Sequence, residues 1–282
     1  MHDHIPSKTA LRVAMRRAVH QLLDHPRVLD DPLAIRILGE DTASELRRDP
    51  KAFERLGTTN LRAFVAARSR FAEDELAEAV RKGVRQCVVL GAGLDTFAYR
   101  NPFTDLHVIE VDHPATQGWK RELLASAGIA IPAPVSFVPV DFAKQSLADE
   151  LNRFGFRSGE PAFFSWLGVV PYLMRDAALG TLRWIASLPP LSAVVFDYAV
   201  ARSQLGFLER TALDALSRRV ARAGEPFQLF FEPPELAASL REAGFQNLQD
   251  LGAEEINARY FNGRSDGLKV RGNLGRLMSA RV

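Results

Sequence analysis

The spacing of apolar positions changes once along the chain. Over residues 9–23, Leu11, Ala14, Met15, Ala18, Val19, Leu22 and Leu23 carry apolar side chains at the three-and-four spacing of one helical face. Asp31-Pro32 supplies an N-cap followed by proline at the first helical position, and Gly39 supplies a stop, so a second, short helix is expected there. "TTN" caps a third stretch, in which Leu61, Phe64, Val65, Phe71, Ala72, Leu76, Ala79 and Val80 form one long apolar face before Gly83. Residues 1–85 therefore read as a helical N-terminal extension.

From residue 86 the pattern becomes short β-branched or aromatic runs: "QCVVLGAG", "LHVIEVD", "VSFVPVDF", "AFFSWLG" and "SAVVFDY". Most end in Gly or Asp, and the stretches between them are long enough for helices. Strands alternating with helices predict a parallel sheet covered on both faces. A helical stretch follows at roughly 203–223, inside an insertion at about 200–232. "PPELAASLREAGF" predicts another helix, closed by Gly244. "QNLQDLG" and "LGRLMSARV" predict two final strands. The expectation is a core over 86–282 with seven strands.

The chain has 282 residues, 47% of them apolar and 25% charged, which suits a globular core of ordinary size. A net charge of +2 gives no ground for expecting nucleic acid or an anionic membrane as a partner. The locally basic C-terminal stretch from Arg259 to Arg281 reads as a solvated surface. No apolar run approaches the length of a membrane span, and the N-terminus lacks the apolar core of a signal peptide. Cys87 is the single cysteine, so no intrachain disulfide forms, and a cytoplasmic location is expected. Its place at the head of an apolar strand makes it a small buried hydrophobe. The six histidines fall at no familiar metal-ligand spacing, and no metal is expected.

The candidate chemistry sits at strand ends, where open parallel sheets collect their ligands. The first strand ends in Gly91-Ala92-Gly93, which lets backbone pass close to a ligand. The second ends "VIEVDHP". Glu110 and Asp112 lie 19 and 21 residues after Gly91, the spacing at which a carboxylate meets ribose hydroxyls. Asp112, just past the strand, is preferred to Glu110. The third ends Asp141-Phe142, where a carboxylate and the next backbone N–H can meet adenine. A dinucleotide fingerprint needs a third glycine, and that position is Thr96. A ligand with adenosine and no phosphates, S-adenosyl-L-methionine, fits better.

"VVLGAGLDTFAYR", "EVDHPATQGWKR", "FVPVDF" and "FDY" together resemble the bacterial S-adenosylmethionine-dependent methyltransferases related to leucine carboxyl methyltransferase. The likeness runs from "PSKTALRVAMRRA" through "RSRFAEDELA" to "YFNGR". It implies an α/β class I methyltransferase (Rossmann-like) fold, a seven-stranded mostly parallel sheet with helices on both faces and a helical N-terminal cap. It also implies cofactor contacts at Gly91, Asp112, Asp141 and Phe142, with Gly93 in the same loop. Arg68 lies on the apolar face of the third helical stretch, where a guanidinium must either snorkel or pair with an anion. The resemblance favours pairing with the cofactor carboxylate. Arg70 is the weaker alternative, and Ser7 and Thr9 match a segment that folds over the same carboxylate. The glutamate that eukaryotic relatives carry near Leu167 is absent here.

Methyl transfer to an oxygen of a small-molecule or peptide acceptor, a carboxylate or a hydroxyl, is the expected reaction. A carboxylate acceptor is already ionised and needs no general base; a hydroxyl needs one, and His113 is the histidine nearest the motifs. Trp166 and Tyr172 read either as pocket lining or as aromatic core. No catalytic residue and no oligomeric state are assigned. An NAD-dependent oxidoreductase and a non-catalytic protein keeping the cofactor pocket are the alternative classes.

Overall fold

A computed structural model describes residues 7–54, 58–141, 145–222 and 224–282. Three helices precede the sheet: α1 (Lys8–Leu23), α2 (Glu40–Arg48) and α3 (Thr58–Arg81). The helix expected from Asp31-Pro32 forms only a turn and a 3-10 segment, Arg36–Leu38. Asp31 still turns the chain there, accepting the Leu33 N–H at 3.1 Å. α2 is the helix that hydrophobic patterning misses, because "EDTASELRR" buries only Ala43 and Leu46. α3 reaches deeper than a one-sided stripe. Every residue from Ala63 to Ser69 except Phe64 is buried, since the helix lies between α1 and the sheet, whereas Leu61 is exposed.

The chain then alternates: β1 (Gln86–Leu90), α4 (Phe97–Arg100), β2 (His107–Asp112), α5 (Pro114–Ser126), β3 (Val135–Pro139), α6 (Leu147–Arg153), β4 (Ala162–Trp166), α7 (Arg175–Ala186) and β5 (Ala193–Ala199). It closes with α8 (Phe207–Ala221), α9 (Pro233–Ala243), β6 (Asn247–Leu251), α10 (Ala253–Tyr260) and β7 (Gly275–Arg281). α10, "AEEINARY", buries one side chain, Ile256, and so also lacks an apolar signature.

The seven strands order as β3-β2-β1-β4-β5-β7-β6. The first five pair in parallel; β7 runs antiparallel between β5 and β6. β1 and β5 are buried at every position, which is why their residues do not alternate between apolar and polar; Gln86 and Asp197 are their buried polar members. One core cluster, with Phe164, Trp166, Phe196 and Tyr198, fills one face of the sheet. Another places Ala66, Ala67 and Phe71 of α3 against Cys87, Val89, Phe163 and Val195 on the other. Burial pushes the Cys87 thiol far up, so it packs as a hydrophobe. The strand order reverses between β1 and β4, and a crevice forms at the carboxyl ends of these strands.

Candidate cofactor and substrate site

A cavity of about 430 Å³ opens at that crevice, within the usual size of small-ligand sites. Gly91, Gly93, Asp112, Asp141 and Arg68 all line it. Five separated sequence positions are thus brought to one wall system. Phe142 lies outside the described residues.

The glycine loop is shaped for close approach. Gly91 takes φ +67° and Gly93 takes φ +46°. A Cβ on Gly91 would clash with a methyl group of Val169, and one on Gly93 would stand 3.1 Å from the Ala10 Cβ. Two loop amides, Gly91 and Ala92, donate to the Val111 carbonyl at 2.8 and 3.0 Å, which fixes the loop against β2.

The two carboxylates of β2 have different surroundings. Glu110 is buried, with Lys120 Nζ at 2.8 Å and the Tyr99 hydroxyl donating to it at 2.8 Å. Asp112 faces the cavity. Its Oδ2 accepts the Gly93 N–H at 2.5 Å and its Oδ1 accepts the His113 N–H at 2.7 Å. Ionised carboxylates have about four lone-pair sites, so acceptor capacity remains. Burial raises the Asp112 pKa above its ordinary value, against the pull of those two amides.

Thr96, where a dinucleotide loop would carry glycine, has a structural partner. Its side chain is fully buried and its hydroxyl donates to Asp31 Oδ2 at 2.6 Å. Around it stand Arg17, which donates to Asp95 at 2.7 Å and also to the Leu94 carbonyl, and Arg100, which pairs with Glu73. The segment after the glycines is therefore held by side chains of the N-terminal extension, Arg17 of α1 and Asp31 after it. Burial acts to raise the Asp95 pKa, but Arg17, Lys120 and Arg100 outweigh it and hold the carboxyl below its ordinary value. In the sequence Asp31 reads only as a helix cap and Arg17 carries no signal; their contacts with Thr96 and Asp95 appear only in the fold.

Arg68 pairs with an anion, and that anion is Asp197 of β5, at 3.0 Å. Asp197 also accepts the Gly168 N–H at 2.5 Å. A Cβ on Gly168 would lie 2.8 Å from Arg68 Nη2, so glycine is needed to seat the guanidinium. Arg68 Nε is buried without a hydrogen-bond partner, and the residue lines the cavity. Arg70, by contrast, is exposed and pairs with Asp74. Trp166 and Tyr172 divide: Trp166 is fully buried in the core, while Tyr172 lines the cavity, its hydroxyl pushed up to about 12 by burial. His113 also lines the cavity and caps α5, its Nδ1 accepting the Ala115 N–H at 3.3 Å. Leu167 lines the wall, and Val169, Leu173, Met174 and Ala177 add an apolar side. Among the described residues, no group of three or more His, Cys, Asp or Glu is placed to hold a metal, and no helix is long and apolar enough to cross a membrane.

A seven-stranded sheet of this order, with a glycine loop after β1 and an acidic residue at the end of β2, defines the class I methyltransferases. Solved structures share the fold. A candidate methyltransferase from Thermobifida fusca aligns at TM-score 0.58 and 16% identity, covering 98% of this chain and 94% of its own. A DUF574 protein from Streptomyces avermitilis aligns at TM-score 0.56 and 18% identity, covering 98% and 97%. The family model for leucine carboxyl methyltransferase matches residues 10–186. YktD of Bacillus subtilis, described as a candidate S-adenosyl-L-methionine-dependent methyltransferase, is 32% identical over 96% of both chains. A similarly described protein of Mycolicibacterium smegmatis is 35% identical over 64% of this chain and 62% of its own. The chain belongs to the leucine carboxyl methyltransferase family, a family of S-adenosylmethionine-dependent methyltransferases.

Proposed function

We propose that the protein transfers the methyl group of S-adenosylmethionine to an oxygen, a carboxylate or a hydroxyl, of a small molecule or a peptide. The observation that carries this reading is the meeting of Gly91, Gly93, Asp112, Asp141 and Arg68 on one cavity at the β1/β4 crevice. What supports the cofactor is the donor set: a glycine loop with positive φ at 91 and 93 packed closely by Val169 and Ala10, carboxylates at 112 and 141, and a guanidinium at 68 on the same wall. Asp112 would accept the ribose hydroxyls, Asp141 with Phe142 would meet the adenine, and Arg68 would answer the carboxylate. The cofactor supplies an activated methyl group on a sulfonium. Bound there, it would make methyl transfer to an acceptor oxygen possible without a metal or an enzyme nucleophile. The protein's task is then to hold donor and acceptor in line and exclude water, a proximity effect that can be large. The NAD reading is less favoured, because Thr96 is locked to Asp31 where a pyrophosphate loop needs glycine.

Calorimetry with S-adenosylmethionine, S-adenosylhomocysteine and NAD tests the reading. Binding of the first two without the third is expected, and binding of NAD alone would sink it. Screening of carboxylate and hydroxyl acceptors with labelled cofactor then separates the two oxygen classes.

The raised pKa of Asp112 predicts a pH dependence. Only the ionised form accepts both ribose protons, so affinity falls as pH falls through the raised value. That loss begins above the ordinary aspartate range of about 4. Affinity for S-adenosylhomocysteine measured from pH 8 down through the ordinary aspartate range should decline toward the acid end, and Asp112→Asn should flatten the decline. A wild-type affinity that is level across this range removes Asp112 from the ribose site.

A further inference from the structure

One carboxylate on the cavity wall has no place in the cofactor reading. Glu225, in the loop between α8 and α9, reaches the beginning of α1, 216 and 218 positions away in sequence. Its Oε1 accepts the Ser7 hydroxyl at 2.9 Å; its Oε2 accepts the Thr9 N–H at 3.1 Å and also the Thr9 hydroxyl. The first amides of a helix have no intrahelical acceptor. Ser7 satisfies Ala10, and Glu225 satisfies Thr9. A negative charge at this end also suits the helix dipole. The start of α1 lies against the glycine loop, with Ala10 over Gly93. Ser7, Thr9 and Glu225 all line the same cavity as Gly91 and Asp112. One side chain therefore joins two covering segments across the cavity, one from each end of the chain.

We propose that Glu225 is a positioning residue that closes the cofactor chamber by binding the start of α1, and so sets how fast cofactor and product exchange. The proposal rests on the cofactor reading above. It requires that α1 and the 224–232 loop separate when ligands enter or leave, and that the Glu225 contacts be broken in that step.

The test uses Glu225→Ala and Thr9→Val, the second leaving the carboxylate in place but removing the hydroxyl donor. Amide exchange of Thr9 in the unliganded protein and dissociation of S-adenosylhomocysteine by stopped flow are measured, with thermal unfolding confirming that each variant is folded. Glu225→Ala should speed Thr9 exchange and raise the dissociation rate by about tenfold or more, from the loss of a hydrogen-bonded carboxylate. Thr9→Val should move both in the same direction by less, and it carries the test if Glu225→Ala does not fold. Faster Thr9 exchange with unchanged dissociation would make Glu225 a structural strut and overturn the proposal, as would unchanged values of both. If the wild type fails to bind S-adenosylhomocysteine, the cofactor reading falls, and Thr9 protection in the free protein still reports whether the contact forms.

Discussion

Replacing Arg68 by alanine lowers the stability of the unliganded protein by about 3–5 kcal/mol, the usual cost of removing one partner of a buried ion pair. Arg68 and Asp197 are both buried, and without the guanidinium the carboxylate keeps only the Gly168 N–H among its described hydrogen bonds. Denaturant unfolding of the two proteins measures the difference. A loss below about 1 kcal/mol would show that the pair is solvated or replaced. Arg68→Lys keeps the charge but not the planar fork, so most of the stability should remain. The lysine variant also separates the two tasks of the side chain. If the fork reaches the cofactor carboxylate, S-adenosylhomocysteine binds more weakly while methylthioadenosine, which lacks a carboxylate, is little changed. Equal weakening of both ligands withdraws Arg68 from the cofactor site and leaves it a strut between α3 and β5.

Asp112→Ala should weaken S-adenosylhomocysteine binding by about 2–4 kcal/mol, taking about 1.5–3 for each hydrogen bond to a charged group with partial replacement by water. The same change removes the acceptor for the Gly93 N–H, so part of the loss comes from a looser glycine loop. Glu110→Ala is expected to fail in the other sense. Lys120, buried beside Glu110, would lose its carboxylate partner, so the damage should appear as lost stability of the free protein. Calorimetry and unfolding on both variants make a two-by-two comparison. If Glu110→Ala folds normally and Asp112→Ala leaves affinity unchanged, the ribose contact lies elsewhere.

The strands were legible because buried parallel strands concentrate β-branched and aromatic residues, as in "QCVVL" and "AVVFDYA". Their order was not, since the placement of β7 between β5 and β6 is a pairing between distant segments that no local pattern encodes. Polar helices were missed for a related reason: α2 and α10 bury one or two side chains each and leave no apolar stripe. Spacing suited both carboxylates, and place at the strand end favoured Asp112; in the fold Asp112 lines the cavity while Lys120 of α5 pairs with Glu110. An arginine on an apolar seam announces that it must snorkel or find an anion. It does not announce Asp197, 129 positions later. Glu225 carried no signal at all, because its meaning depends on two chain segments folding to the same rim.

The lock between Thr96 and Asp31 bears on how such a protein can be re-engineered. In a modular enzyme, one would exchange the N-terminal helices for those of a relative to change the acceptor and leave the catalytic core alone. Here the exchanged piece carries Arg17 and Asp31, which hold Leu94, Asp95 and Thr96 directly behind the glycines. A graft that lacks an acid at position 31 strands a buried hydroxyl, and one that lacks the arginine at 17 strands the Leu94 carbonyl and leaves Asp95 only the Phe97 N–H among its described hydrogen bonds. Chimeras built at the boundary near residue 85 must therefore be matched across it at these few positions, or they alter cofactor binding when only the acceptor was meant to change.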